Sequence, residues 1–280
     1  MMVSAQIDAH LHRLTPAERR VAAVVADDPE AVAFGTVADV ARRAGASGAT
    51  VVRLAAKLGF EGFVDLQAAV RDELARRLRP ASERIRRPQP GDVLGTALAV
   101  EMANVAATLE GVDPDAFAAA VRLLCGRSGR VLVLSGDASF GVASVFADEL
   151  SMLRPGVTLV GGSEVRVARL LADVGRADVV VVLDLARYDR AVLEVAEHAA
   201  GRGAALVALS DSALSPLAAS AAVSFTVSVA GTGPFDSHVG MLALANALLA
   251  AVAARLRRSA TDRLDQVESA WRSANALTDA

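Results

Sequence analysis

Two different periods of apolar residues divide the chain. Up to about residue 78 the apolar positions recur at helical spacing, and no stretch alternates as a strand does. Thr15-Pro16-Ala17-Glu18 has the spacing of a capping box with proline at the first helical position, which predicts a helix over Ala17 to Ala26. Thr36-Val37-Ala38-Asp39 repeats that spacing and predicts a second helix, stopped by Gly45. Ser47 caps a third, which Gly59 ends, and a fourth runs from Gly62 to about Leu78. A turn of about three residues separates the second and third helices, the spacing of a helix-turn-helix. Val37, Val40, Ala41, Val51, Leu54 and Leu58 are placed to form their shared core.

Residues 79–92 contain three prolines and little apolar periodicity, and are read as a linker. A helix over Val93 to Leu109 follows, and Asp113-Pro114 caps the next. From Arg130 the period changes. Apolar runs Val131–Leu134, Val157–Val160, Val179–Leu183, Ala205–Leu209 and Val223–Val229 alternate with helical segments near 140–153, 163–174, 189–202 and 237–256. That alternation predicts a parallel sheet with helices on both faces. Ligands then sit at the carboxyl ends of the strands, which singles out Ser135–Ser139, Gly161–Ser163, Asp184–Asp189, Ser210–Ser215 and Gly231–Ser237. The longest apolar stretch, Val239 to Ala254, is interrupted by Asn246 and is short for a membrane span of ~20 residues, so it is read as a helix buried in a domain or a subunit interface. Ser259-Ala260-Thr261-Asp262 reads as another capping box, opening a tail helix on which Leu264, Val267, Trp271 and Leu277 can share a face.

With 280 residues, 53% of them apolar, the chain has core enough for two domains. Its formal charge of −3 argues neither for nor against nucleic acid, because a basic footprint can be local. One cysteine, Cys125, makes no internal disulfide and is read as a small apolar side chain; the cytoplasm is the simplest compartment. The first ten residues show no basic segment followed by an apolar run, so no secretory signal is expected.

Between Arg42 and Lys57 stand four basic residues and no acidic one. The expected DNA-contacting set is Arg42, Arg43, Ser47, Gly48, Ala49, Thr50, Arg53 and Lys57: small residues let the third helix approach base edges, Ser47 and Thr50 reach phosphates, and Arg53 reaches a guanine edge or a phosphate. The alternative is a helical hairpin with a solvated basic face. The charge asymmetry, the glycine turn and the position of Thr50 favour DNA.

The run L-T-P-A-E-R-R-V-A from Leu14, the S-x-x-T-V-x-R turn from Ser47 and the closing L-G-F-x-G-F from Leu58 resemble the amino-terminal domain of RpiR-type bacterial transcriptional regulators. The remainder resembles the sugar isomerase (SIS) domain that follows in that family. The resemblance implies an all-α helix-turn-helix domain over 1–78, a linker over 79–92, an α/β SIS domain over 93–258 with a five-stranded parallel sheet flanked by helices, and a tail helix over 259–280. It implies a repressor or activator that binds a double-stranded DNA operator as a homodimer or homotetramer, not at a membrane, and senses a metabolite, usually a phosphorylated sugar.

Ser135-Gly136-Asp137-Ala138-Ser139 stands where the family has a glycine-rich loop ending in serine; Ser139 lies at a helix start, which favours an anion, whereas Asp137 does not. After the third strand the family has a serine- and threonine-rich phosphate turn, and this chain has Asp184-Leu185-Ala186-Arg187-Tyr188-Asp189. Three readings compete for that loop. Arg187 and Tyr188 bind a carboxylate or phosphate while Asp184 holds the arginine or a ligand group; Asp184 and Arg187 form a structural ion pair; or the loop is a subunit contact. The expected effector set is Ser135, Ser139, Asp184, Arg187, Tyr188 and Ser237, for a small anionic metabolite other than an ordinary sugar phosphate. Ser237 is first a helix cap, and ligand contact by Ser237 or His238 is the minority reading. His238 is a candidate general base without a partnered carboxylate, and His10, His12 and His198 read as surface positions. No metal-ligand spacing, Walker loop or nucleophile motif occurs, so no catalytic residue, metal or cofactor is expected. The rival reading is a sugar-phosphate isomerase with an accessory helical domain, and a third is an interaction module whose sensor site has decayed.

Overall fold

Side-chain caps decide where the amino-terminal helices begin. The computed structural model describes residues 3–77, 80–86, 91–126, 129–213 and 215–278. In the first of these segments lie α1 (Val3–His10), α2 (Pro16–Asp27), α3 (Pro29–Phe34), α4 (Val37–Arg43), α5 (Gly48–Lys57) and α6 (Phe63–Arg77), with a 3-10 turn at Leu11–Arg13. Thr15 and Thr36 both form complete capping boxes, with Glu18 and Asp39 returning to the backbone of their caps. Ser47 caps α5 by accepting from Thr50 N. Sequence periodicity missed α1 and α3; the latter is started by Asp28, which accepts from Ala31 N ahead of Pro29. Leu78, the expected end of the fourth helix, and Arg79, the expected start of the linker, lie outside the described residues.

One carboxylate fastens this domain. Glu18 is buried after completing its capping box, and its Oε2 also accepts from Lys57 Nζ at 2.7 Å, tying α2 to the end of α5. The Lys57 hydrogen bond, followed by the Thr15 amide, lowers its pKa from the usual 4.5 to about 2. Arg20, two residues on, donates to Ala44 O at 3.0 Å and Gly45 O at 3.1 Å, in the turn between α4 and α5. Gly45 there has φ +54, a conformation that favours glycine. Residues 79–92, expected as a linker, include one helical turn, α7 (Ala81–Arg84); residues 87–90 lie outside the described residues.

The second domain contains α8 (Val93–Glu110), α9 (Pro114–Leu124), β1 (Val131–Ser135), α10 (Phe140–Leu153), β2 (Val157–Leu159), α11 (Glu164–Ala172), β3 (Val179–Leu183), α12 (Arg190–Gly201), β4 (Ala205–Ser210), α13 (Pro216–Ser220), β5 (Val223–Thr226) and α14 (Val239–Ser273). The five strands are parallel in the order β2-β1-β3-β4-β5. Alternate residues serve opposite faces, as the two-residue period requires. Val131, Val133, Val179 and Val181 pack with α9, α10 and α14. Leu132, Leu134, Val180 and Val182 pack with α11, α12 and α13.

Two elements depart from expectation. β5 stops at Thr226 rather than Val229: Val227 N still reaches Ser210 O of β4 at 2.8 Å, but beyond it Ser228 N donates to Thr108 Oγ1 at 2.9 Å and Ala230 N to Asn104 Oδ1 at 3.1 Å, both on α8. No helix starts at Ser259. α14 runs unbroken for 35 residues, and the Ser259 and Thr261 hydroxyls donate back to Leu256 O and Arg257 O instead of capping. By length and composition alone, α8 and α14 are apolar enough to cross a membrane. α14 spends that character in the core, through Met241, Leu244, Leu248 and Val252.

Replacing Lys57 with Met leaves the buried Glu18 carboxylate without its cation and is expected to destabilise the helical domain by about 1.5–3 kcal/mol. Because Glu18 titrates lower in the folded than in the unfolded chain, its contribution is present above pH 4.5 and is lost as pH falls toward about 2. Urea titrations between pH 7 and pH 2.5 should therefore show a shallower acid loss of stability in Lys57→Met than in the parent.

Candidate functional site

α5 presents a narrow outer face. Thr50, Val51, Leu54 and Ala55 point inward, while Ser47, Ala49, Val52, Arg53 and Ala56 are exposed. Three residues expected at DNA have other duties. Thr50 is buried; its Oγ1 lies 2.9 Å from Ser47 Oγ and accepts from Arg53 Nη2 at 3.1 Å, so it positions those two side chains rather than meeting a phosphate. Lys57 is committed to Glu18. Gly48 faces α4, where a Cβ would come within 3.2 Å of Val37 Cγ1, so its smallness serves helix packing. Arg42 and Arg43 remain exposed while paired with Asp39 and Asp28. Sequence reasoning passed over Val52, 44% exposed between two alanines on the same face, and Arg20, which holds the turn.

At the second site, the chain leaves β1 for β2 on one side and reaches β3 on the other, so the β1/β3 boundary is the topological switch point. β3 is buried along its whole length and carries Asp184 into the interior. No Asp184–Arg187 ion pair forms. Instead, Asp184 Oδ1 accepts from Leu185 N at 2.9 Å and Oδ2 from Asp189 N at 2.8 Å, curling the loop back on its own carboxylate. Burial raises the Asp184 pKa; the two amides oppose that rise, and the Asp189 and Asp211 charges add to it. The curl leaves Arg187 exposed with φ +73, in the left-handed region. Tyr188 donates its hydroxyl to Asp211 Oδ1 at 2.9 Å, joining the loops after β3 and β4.

Ser135 pairs with Leu183 in register, and Gly136 N donates to Leu183 O at 3.1 Å, which brings the β1 loop against Asp184. Gly136 has φ −65, ordinary for any residue, yet a Cβ there would be driven into the Asp184 carboxylate. Ser139 is fully buried at the start of α10, and its Oγ has no partner among the described residues. Ser135, Ser139, Asp184, Arg187 and Tyr188 thus gather around the ends of β1, β3 and β4. Ser237 does not join them. The expected helix cap does not form: His238 stands at the N-cap of α14, which has no side-chain cap, and Ser237, one residue earlier, accepts from Val239 N and donates its hydroxyl to Glu101 Oε2 at 2.5 Å, which ties its loop to α8. His238 Nε2 is buried without a partner among the described residues, and none of them pairs a carboxylate with it. Among the described residues no cluster of three or more His, Cys, Asp or Glu could hold a metal ion. Cys125, half-buried at the end of α9, has its thiol pKa raised by burial. His10 is half-buried and His198 exposed.

Two family profiles match: "Helix-turn-helix domain, rpiR family" over residues 1–77 and "SIS domain" over residues 126–251. The sugar isomerase domain of an RpiR transcription factor from Sphaerobacter thermophilus is 30% identical, with a TM-score of 0.58 over 62% of this chain and 97% of that one. The Vibrio vulnificus NanR protein complexed with ManNAc-6P is 19% identical and has the same fold along the chain, with a TM-score of 0.57 over 97% of this chain and 98% of that one. An uncharacterized HTH-type transcriptional regulator of Bacillus subtilis, YbbH, is 36% identical over 70 residues, which span a quarter (25%) of each protein.

Gly136→Ala is expected to destabilise the sheet domain by about 1–3 kcal/mol, through overpacking alone. Asp184→Ala costs a similar amount by leaving two buried amides unpaired. The double variant should be less destabilised than the sum of the two, because the second change removes what the first collides with. Chemical denaturation of the four chains measures the coupling, and strict additivity would refute the contact.

Proposed function

The chain belongs to the RpiR family of helix-turn-helix transcription regulators, and from that premise we propose how its two sites work together. Arg53 and Val52, on the exposed face of α5, enter the major groove: Arg53 reads a base edge, Ser47 meets a phosphate, and Arg42 and Arg43 flank them on the backbone. The observation that carries this reading is that the outer face of α5 stays free of the protein's own interior, while Glu18 and Arg20 hold α5 rigidly from behind. The protein acts in the cytoplasm, where its operator is.

One short helix supplies too little contact for specific binding, so the working form is a homodimer or larger, with half-sites about 34 Å apart. α8 supports a symmetric contact: Leu94, Leu98 and Met102 form an exposed apolar stripe at four-residue spacing, 84%, 64% and 64% accessible.

The sheet domain serves as the sensor of a small metabolite at the ends of β1 and β3. NanR was seen with ManNAc-6P; here the loop after β3 has a buried aspartate in place of hydroxyls, which favours a different effector. An isomerase reading is disfavoured because Asp184 is engaged by backbone amides and His238 faces no carboxylate. Signal passes through Arg84 of α7, which donates to both oxygens of Asp236 at 2.5 and 3.3 Å, joining the linker to the loop before α14.

Arg53→Ala should weaken operator binding by about 1–3 kcal/mol with an unchanged circular dichroism spectrum, measured by fluorescence anisotropy on DNA upstream of the gene and its neighbours. Undiminished affinity would remove Arg53 from the reading set. Arg84→Ala should free the linker, and trypsin cleavage within residues 79–92 should accelerate roughly fivefold, as expected for release of about 1 kcal/mol of local restraint.

A further inference from the structure

The helical domain carries no net charge: residues 1–77 hold ten arginines and lysines and ten aspartates and glutamates. A duplex is bound without regard to sequence through cations that neutralise its phosphates, so what counts is which cations are free to do so. Of the four basic residues between Arg42 and Lys57, three are paired with a carboxylate: Arg42 with Asp39 at 2.5 Å, Arg43 with Asp28, and Lys57 with Glu18 at 2.7 Å. Arg53 donates to the Thr50 hydroxyl, and among the described residues no carboxylate pairs with it.

The three pairs are of two kinds. Glu18 is buried, and its bond to Lys57 is a joint between helices. The other two pairs stand in solvent, with their four side chains between 36% and 74% exposed. Ion pairs so exposed are held weakly, and their partners can exchange. The carboxylates themselves are fixed, because each divides its oxygens between a helix start and an arginine. Asp39 Oδ2 accepts from Thr36 N at 3.0 Å and Thr36 Oγ1 at 2.7 Å, completing the capping box of α4, and Oδ1 is left for Arg42. Asp28 Oδ1 accepts from Ala31 N at 3.0 Å at the start of α3, and Oδ2 is left for Arg43. The Thr36 hydroxyl, then its amide and Arg42, lower the Asp39 pKa to about 2, so that carboxylate stays charged at neutral pH. An arginine that turns to a phosphate leaves its aspartate behind as a bare anion, which repels the phosphate it has gone to.

We propose that Asp28 and Asp39 act as a brake on sequence-independent DNA binding: they hold Arg43 and Arg42 off the phosphates of a duplex of arbitrary sequence. The arginines exchange to phosphate once Arg53 holds a base edge. This rests on the placement of α5 in the major groove and adds to it what restrains the flanking cations.

The full chain is titrated by fluorescence anisotropy into a short duplex of random sequence across a salt series. Asp28→Asn/Asp39→Asn should bind it about tenfold more tightly, roughly threefold per pair released. The salt dependence, log K against log salt concentration, should steepen by about 1.8, or about 0.9 for each added phosphate contact. Asparagine keeps an oxygen for each helix start, and Asp28→Asn alone, at a cap where the two residues serve equally well, should give half of both effects. Adding Arg42→Gln/Arg43→Gln should cancel them. Glu197→Gln/Glu268→Gln, which removes the same charge from exposed positions on α12 and α14, should produce neither. Unchanged affinity and slope in both asparagine chains, an equal gain in the glutamine control, or a gain that survives loss of the two arginines would overturn the brake. The parent is also titrated into the DNA upstream of its gene. Specific binding there without a gain in the asparagine chains ends the brake and leaves the regulator reading standing, whereas no binding of any duplex by any chain ends both.

Discussion

A carboxylate that the central strand carries out of reach of water sets the geometry of the sheet edge proposed to sense the effector. Asp184 follows five residues that are buried on both faces, and among the described residues no cation pairs with it. An ionised carboxylate in such a place costs several kcal/mol unless hydrogen bonds meet its oxygens. The nearest donors are the amides of its own loop, so the chain must turn back within five residues to bring Asp189 N to Asp184 Oδ2. The turn forces Arg187 into the left-handed region, a strain of roughly 1–2 kcal/mol for a residue with a Cβ. The same carboxylate forbids a side chain at position 136 on the neighbouring loop. One buried group thus shapes both lips of the switch point, and it does so without hydroxyls.

How much of this was legible in the sequence depended on whether the deciding interaction was local. Thr15 with Glu18 and Thr36 with Asp39 satisfy each other within one turn, so both helix starts could be read directly. The five strands could be read from runs of β-branched and aliphatic residues, with β3 found to the residue. Ser259 to Asp262 has the same local pattern and starts nothing, because the core contacts of α14 upstream keep the backbone helical and leave the hydroxyls to bond backward. The end of β5 was misplaced for a related reason: its amides are claimed by Asn104 and Thr108, more than a hundred residues earlier in the chain.

The residues proposed to face DNA show the same division. That α5 is short, basic and capped by Ser47 was visible, as was Gly45 in the preceding turn. Which of its polar residues face outward was not. Thr50 and Lys57 look as available as Ser47 and Arg53 in a string of letters, yet α2 lies behind them, and Glu18 draws Lys57 to the inner side. Helical phase assigned Val51 and Leu54 to the core, and the same phase puts Thr50 at the boundary with them. Only the partner helix decides whether a boundary hydroxyl works for the fold or for the ligand. Here it steadies Arg53, the residue proposed to read a base.

α8 is built with its polarity reversed, and that reversal ties the two sites together. Its buried residues are Asn104 and Thr108, whose side chains hold Ser228 and Ala230, while Leu94, Leu98 and Met102 face outward. A helix apolar around most of its circumference is stable in water only when its outer side is also covered. With a second copy of the chain on that side, α8 would be pinned between a subunit contact and the loop over residues 228–237. That loop carries Asp236, the anchor of the linker, and Ser237, bonded to Glu101 of the same helix. A shift of one subunit against the other would therefore move α8, then Asp236 and Arg84, and with them the helical domain. The coupling needs no change inside either core, because every joint in it is a hydrogen bond or ion pair at the edge of a rigid element.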